Sequence, residues 1–103
     1  MFLVIFRNRK RPGIDEAAYS ADVRRMEVLA HAQPGFLSFK SYVAADGEAI
    51  AMSEWASEAA VHAWGSHPEH AVIQRRGRAE YYENYTLICA NNPRVHGFDR
   101  SDF

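Results

Sequence analysis

The chain has 103 residues, 48% of them hydrophobic, with 12 Lys and Arg against 13 Asp and Glu. That length suits one domain around one core, and the apolar fraction excludes a disordered chain. The even charge balance excludes an acidic tail and a nucleic-acid binder driven by bulk charge, and no run approaches the ~18 apolar residues of a membrane span. A single cysteine, Cys89, excludes an internal disulfide framework and suits a reducing compartment. Met1 to Phe6 is apolar but too short for a signal peptide and has no basic segment before it. The expected location is therefore cytoplasmic.

Leu3-Val4-Ile5-Phe6 is a β-rich run, and the basic stretch Arg7 to Arg11 with Pro12-Gly13 predicts a loop after it. Asp15 has the character of a helix cap, with Glu16 in the first turn where a negative charge suits the helix dipole. Tyr19, Val23, Met26 and Leu29 or Ala30 follow at helical spacing, and the helix should end before Pro34-Gly35. Phe36 to Val43 alternates apolar and polar positions as a two-faced strand, and Asp46-Gly47 signals a hairpin that returns through Glu48 to Trp55. Ser57 can cap a second helix carrying Ala60, Val61 and Trp64. Gly65 interrupts that helix, and it restarts at Ser66-His67-Pro68-Glu69, which has capping-box spacing. The restarted helix is expected to reach about Gly77, with a last strand over Tyr81 to Ala90. Residues 1–90 then form the domain and 91–103 a C-terminal tail, with Phe98 and Phe103 as its apolar anchors.

The order strand, helix, strand, strand, helix, strand is the ferredoxin-like βαββαβ pattern of an α+β fold, an antiparallel sheet with its helices on one face. The first strand is nevertheless apolar on both faces: Phe2, Val4 and Phe6 point one way, Leu3 and Ile5 the other. Helices on one face leave the other bare, and at about 25 cal/mol per Å2 a wet apolar face would cost several kcal/mol. A second copy of the same sheet is the expected cover, giving a homodimer packed face to face.

The ordered set Ser53-Glu54-Trp55-Ala56-Ser57-Glu58-Ala59-Ala60-Val61, Ala63-Trp64, His67-Pro68-Glu69-His70, Gly77-Arg78 and Tyr81-Tyr82-Glu83-Asn84-Tyr85 resembles the antibiotic biosynthesis monooxygenase family over roughly Met1 to Ala90. The resemblance implies a dimeric α/β barrel closed by two ferredoxin-like protomers, with a pocket between sheet and helices in each. Some members oxidise phenolic, quinone-forming polyketides with oxygen and no cofactor. A second branch binds and degrades haem, using an asparagine late in the first strand, a tryptophan on the second helix and an axial histidine ten residues after it. Asn8 matches that asparagine and Trp64 that tryptophan, but the position ten beyond is Gln74. Glutamine is a poor ligand for haem iron. His70 lies one helical turn earlier, its side chain arising ~6 Å away along the axis. Haem is thus disfavoured.

Asn8, Trp64 and His70 are the candidate catalytic residues. Asn8 could donate to a developing phenolate or enolate oxygen. Trp64 could stack on a planar aromatic, and Gln74 could bind the same substrate. His70 could take a phenolic proton, since an unperturbed imidazole titrates near ~6.5. The histidine cluster His62, His67 and His70 lacks a convergent fourth ligand, so no metal site is expected. No glycine-rich phosphate loop follows any strand, which argues against a bound flavin or nicotinamide cofactor. Arg75, Arg76 and Arg78 read as a solvated, ion-paired helix face, and Tyr81, Tyr82 and Tyr85 as sheet packing divided between two faces, not as a nucleic-acid surface. The leading expectation is a cofactor-independent monooxygenase acting on a small planar aromatic. The alternatives are a non-catalytic small-molecule-binding dimer and a haem-binding or haem-degrading protein.

Overall fold

In the computed structural model, which describes residues 1–102, the first strand β1 (Phe2–Lys10) lies in the middle of the sheet. It pairs antiparallel with β3 (Ala49–Trp55) on one side and β4 (Tyr82–Asn91) on the other. The strand β2 (Phe36–Val43) flanks β3, giving the order β2-β3-β1-β4. The first helix, α1 (Glu16–His31), joins β1 to β2; α2 (Glu58–Gly65) and α3 (Pro68–Arg76) join β3 to β4. This is the expected ferredoxin-like α+β fold with an antiparallel sheet.

Local signals account for most boundaries. The Asp15 carboxylate accepts a hydrogen bond from the Ala18 N–H at 3.0 Å, and the Ser57 hydroxyl accepts from the Ala60 N–H at 3.2 Å, so both helices begin on the caps read from sequence. Gly35 turns the chain with φ +83°, and a Cβ there would stand 2.7 Å from the Ala60 Cβ, so glycine lets α2 press against this turn. The break between α2 and α3 also stands where expected. Its cap, however, is His67, whose Nδ1 accepts from the Glu69 N–H at 3.2 Å, while Ser66 closes the end of α2.

Two boundaries differ from expectation. The strand β1 runs through Lys10 where a loop was predicted, because Arg7 binds Glu48 through three bonds of 3.1–3.2 Å and Arg9 binds Asp46 at 2.7 Å. These long-range partners hold extended a segment whose own composition looks like a solvated loop. Beyond α3 the chain makes a π-helical turn, Gly77–Tyr81, so β4 starts at Tyr82.

The core consists of Phe2, Ala30 and Trp55, with Val4, Phe36, Ala60, Val61 and Trp64 packed around it. Trp55, 1% exposed, meets Phe36 edge-on at 5.4 Å and stacks on Trp64 at 6.0 Å, while its indole N–H donates to the Ser53 hydroxyl at 3.0 Å. All of these lie on the helix side of the sheet. The tail leaves β4 through Asn92, whose N–H donates to the Met1 carbonyl at 2.8 Å. Phe98, one of its expected anchors, is 67% exposed with the Arg100 guanidinium over its ring. Phe103, the other, lies outside the described residues. Among the described residues no helix is long and apolar enough to cross a membrane.

Candidate active site

Three helices cannot fill the space above a four-stranded sheet whose central strands carry Ala51 and Ser53 toward them. A cavity of about 400 Å3 remains between sheet and helices. That size holds a small ligand. Its floor includes Val4, Phe6 and Trp55, and Tyr19, Val23 and Met26 of α1 form one wall, the same stripe that defines the helix in sequence. Leu87 lines the cavity and yet is 56% exposed, so the cavity opens over the edge strand β4.

The wall that carries chemistry comes from the junction of α2 and α3. Trp64 and His70 lie ring on ring, 4.0 Å between centroids and 14° from parallel. His70 Nδ1 stands 3.0 Å from the Trp64 carbonyl oxygen, and a carbonyl can only accept, so Nδ1 carries the proton and donates. The other ring nitrogen, Nε2, is therefore left with a lone pair, which accepts from the Gln74 amide at 3.3 Å. Burial pushes the His70 pKa below the ordinary histidine value; the bond to the Trp64 carbonyl opposes this only in part, and the nearby His67 adds to the lowering. The imidazole is consequently neutral at neutral pH, with Gln74 beside its basic nitrogen.

Thus Trp64, His70 and Gln74 come together as one unit lining the cavity. Asn8 does not join them. It is 4% exposed within β1, between its strand partners Ala49 and Tyr85, and its side-chain oxygen is buried with no hydrogen-bond partner. The cavity wall does not include it. Because β1 continues past Phe6, Asn8 is a sheet residue and not the loop residue its position suggested.

Sequence reasoning missed the opposite polar group. Asp22 of α1 lines the cavity and accepts two bonds from Arg76 at 2.6 and 2.8 Å and one from the Tyr81 hydroxyl at 2.7 Å. An aspartate set inside an apolar helical stripe was the available signal. The tyrosines also differ from the expected division between faces: Tyr81, Tyr82 and Tyr85 all line the cavity. The register shift between Arg9 and Lys10, opposite Asn84 and Tyr82, puts Tyr82 and Tyr85 on one side despite their spacing. Burial raises the pKa of both Tyr81 and Tyr82, and the bond to Asp22 raises Tyr81 further, so both stay phenols that donate.

Haem does not fit this donor set. His70 is the one imidazole on the cavity wall, and its ring lies flat against Trp64. Among the described residues no group of three or more His, Cys, Asp or Glu could hold a metal ion.

Comparison with known proteins agrees with this fold. The chain is 35% identical over 100 residues to the uncharacterized protein YqjZ of Bacillus subtilis, covering 97% of this chain and 86% of that one. Its fold superposes on Rv0793 from Mycobacterium tuberculosis with a TM-score of 0.79 at 20% identity, covering 93% and 98% of the two chains. It also superposes on SnoaB, a cofactor-independent oxygenase from Streptomyces nogalater, with a TM-score of 0.74 at 14% identity, covering 91% and 94%. The family model for antibiotic biosynthesis monooxygenases matches residues 1–76, from the central strand through the whole of α3. The chain belongs to the antibiotic biosynthesis monooxygenase family.

Proposed function

We propose that the protein is a cofactor-independent oxygenase acting on a small planar aromatic that yields a quinone, and that it works as a homodimer. The observation that carries this reading is the neutral His70, stacked on Trp64 with Gln74 at its basic nitrogen, on the wall of an aromatic-lined cavity. The fold shared with SnoaB supports the class of chemistry.

A planar hydroxyaromatic enters the cavity between Trp64 and the tyrosines, and its hydroxyl displaces the Gln74 amide from His70 Nε2. The imidazole takes the proton. Gln74 then donates to the oxygen that has become anionic. The electron-rich anion itself supplies the electrons to oxygen. One oxygen atom ends as the new carbonyl and the other leaves as water with the ring C–H and hydroxyl hydrogens, so a hydroxyarene and O2 become a quinone and H2O with no outside reductant.

Dimerisation rests on the bare face of the sheet. Leu3 and Ile5 of β1, Ile50 and Met52 of β3 and Ile88 of β4 share the side away from the helices, and Ile88 is 42% exposed. A second sheet laid on this face buries it and closes a barrel. The cytoplasm is the proposed location, in keeping with the lone exposed thiol of Cys89.

Oxygen uptake with a panel of dihydroxynaphthalenes and anthrones, corrected for spontaneous oxidation, tests the reading. At least one compound should be consumed above background, and Trp64→Ala should reduce that rate. Saturable binding with no uptake across the panel would overturn the oxygenase in favour of a binding dimer. A saturable, His70-dependent Soret shift with haemin would favour the haem reading.

A further inference from the structure

The cavity-facing side of α3 and the turn after it carries His70, Gln74 and Arg78, each four residues from the last. Residues at that spacing stand one above another on a helix, and eight residues rise roughly 12 Å, so the row runs from a base, through an amide, to a cation. The first two members already bond to each other. Among the described residues the third has no ion-pair or side-chain hydrogen-bond partner.

Arg7, Arg9, Arg25 and Arg76 each form an ion pair with a carboxylate. Arg78, among the described residues, makes neither an ion pair nor a side-chain hydrogen bond, although Glu83 lines the same shallow outer depression. Other arginines are unpaired too, but Arg24 and Arg75 are not on the cavity wall. The backbone fixes where Arg78 stands. It is the second residue of the π-helical turn, and the turn's first residue, Gly77, is buried so tightly that a Cβ would lie 2.6 Å from the Tyr82 ring. Single π turns are rare and recur at functional sites. The cavity carboxylate of Asp22 is held by Arg76 and Tyr81 and so does not compete for Arg78.

We propose that the cavity selects planar aromatics that carry a carboxylate at the end remote from the reacting ring, with the Arg78 guanidinium as its counter-charge. The aromatic body lies between Trp64 and the cavity tyrosines, the hydroxyl to be deprotonated meets His70, and the carboxylate reaches Arg78 at the other end of the row. The planar fork of the guanidinium matches a carboxylate with two parallel bonds. This rests on the oxygenase reading of the same cavity and adds the charge of its substrate.

A matched pair tests it: 4,5-dihydroxyanthraquinone-2-carboxylate and 1,8-dihydroxyanthraquinone share one ring system and differ by the carboxylate. Titrations followed by quenching of tryptophan emission should give about five- to tenfold tighter binding of the carboxylate compound to the wild-type protein, a preference that shrinks as salt rises. Arg78→Gln should erase the preference and leave the uncharged compound's affinity unchanged, and Arg78→Lys should keep part of it. Equal binding of both compounds to the wild type, or an unchanged preference in Arg78→Gln, would overturn the carboxylate assignment alone. Binding of neither compound to the wild type would overturn the aromatic-cavity reading with it.

Discussion

The two faces of the sheet are built from the same strands and to opposite ends. Toward the helices β1 presents Phe2, Val4 and Phe6, and β3 answers with Trp55, Ser53 and Ala51. Large rings beside small residues leave a void that the helices roof but do not fill. On the far side Leu3 and Ile5 meet Ile50, Met52 and Ile88, an apolar patch on the same face as Glu54 and Lys40. The ion pairs Arg7–Glu48 and Arg9–Asp46 stand toward one end of it. One face keeps room for a guest molecule, while the other carries apolar side chains that no helix covers. Period-two alternation lets a single strand carry both instructions.

Charging the uncovered face should have the largest effect. Ile5→Lys would set an ammonium from each copy into a dry interface, where an unpaired charge costs several kcal/mol. Light scattering at micromolar concentration should report a dimer for the wild type and a monomer with intact circular dichroism for the variant. A dimer that survives Ile5→Lys would break the assignment of this face. Trp55→Ala attacks the other side, removing the one side chain that joins β3 to both Phe36 and Trp64. It should lower unfolding free energy by about 3–5 kcal/mol in denaturant titrations, and a loss below about 1 kcal/mol would mean that the cavity floor bears little of the fold.

Smaller changes sharpen the comparison within the helix side. Tyr81→Phe removes one hydrogen bond to Asp22 but keeps the ring, so a loss of about 1 kcal/mol is expected. Arg25→Ala breaks the exposed pair with Glu69, which links α1 to α3 beside the Asp22–Arg76 pair, and should cost less than about 1 kcal/mol. If Arg25→Ala proved the costlier of the two, the exposed pair and not the cavity cluster would be what holds α3 over the sheet.

Much of the fold was legible because its signals are local. Asp15 and Ser57 cap the helices they precede, Gly35 turns where its freedom is needed, and alternation divided the faces of β1 correctly. The misread segments depend on partners far along the chain. Arg7 to Lys10 resembles a loop until Glu48 and Asp46, 37–41 residues away, are placed beside it. The π turn at Gly77–Tyr81 follows from how Tyr82 packs on Gly77, which no spacing rule encodes. In the site, Trp64, His70 and Gln74 were legible as residues on successive helical turns. Asn8 was misplaced with the strand end, and Asp22 was hidden because its partners Arg76 and Tyr81 lie 54 and 59 residues away.

The central claim is that neutral His70 takes the substrate proton, and the pH dependence of kcat/KM for oxygen uptake, compared with that of His70→Gln, tests it most directly. Because burial holds the His70 pKa below the ordinary ~6.5, the base is available throughout the neutral range and becomes protonated only as pH falls through its lowered value. The wild-type rate should be flat near neutrality and drop at acid pH. His70→Gln should be slower by about a hundredfold or more, with that acid limb absent. Equal rates, or an acid limb that persists unchanged in His70→Gln, would contradict it.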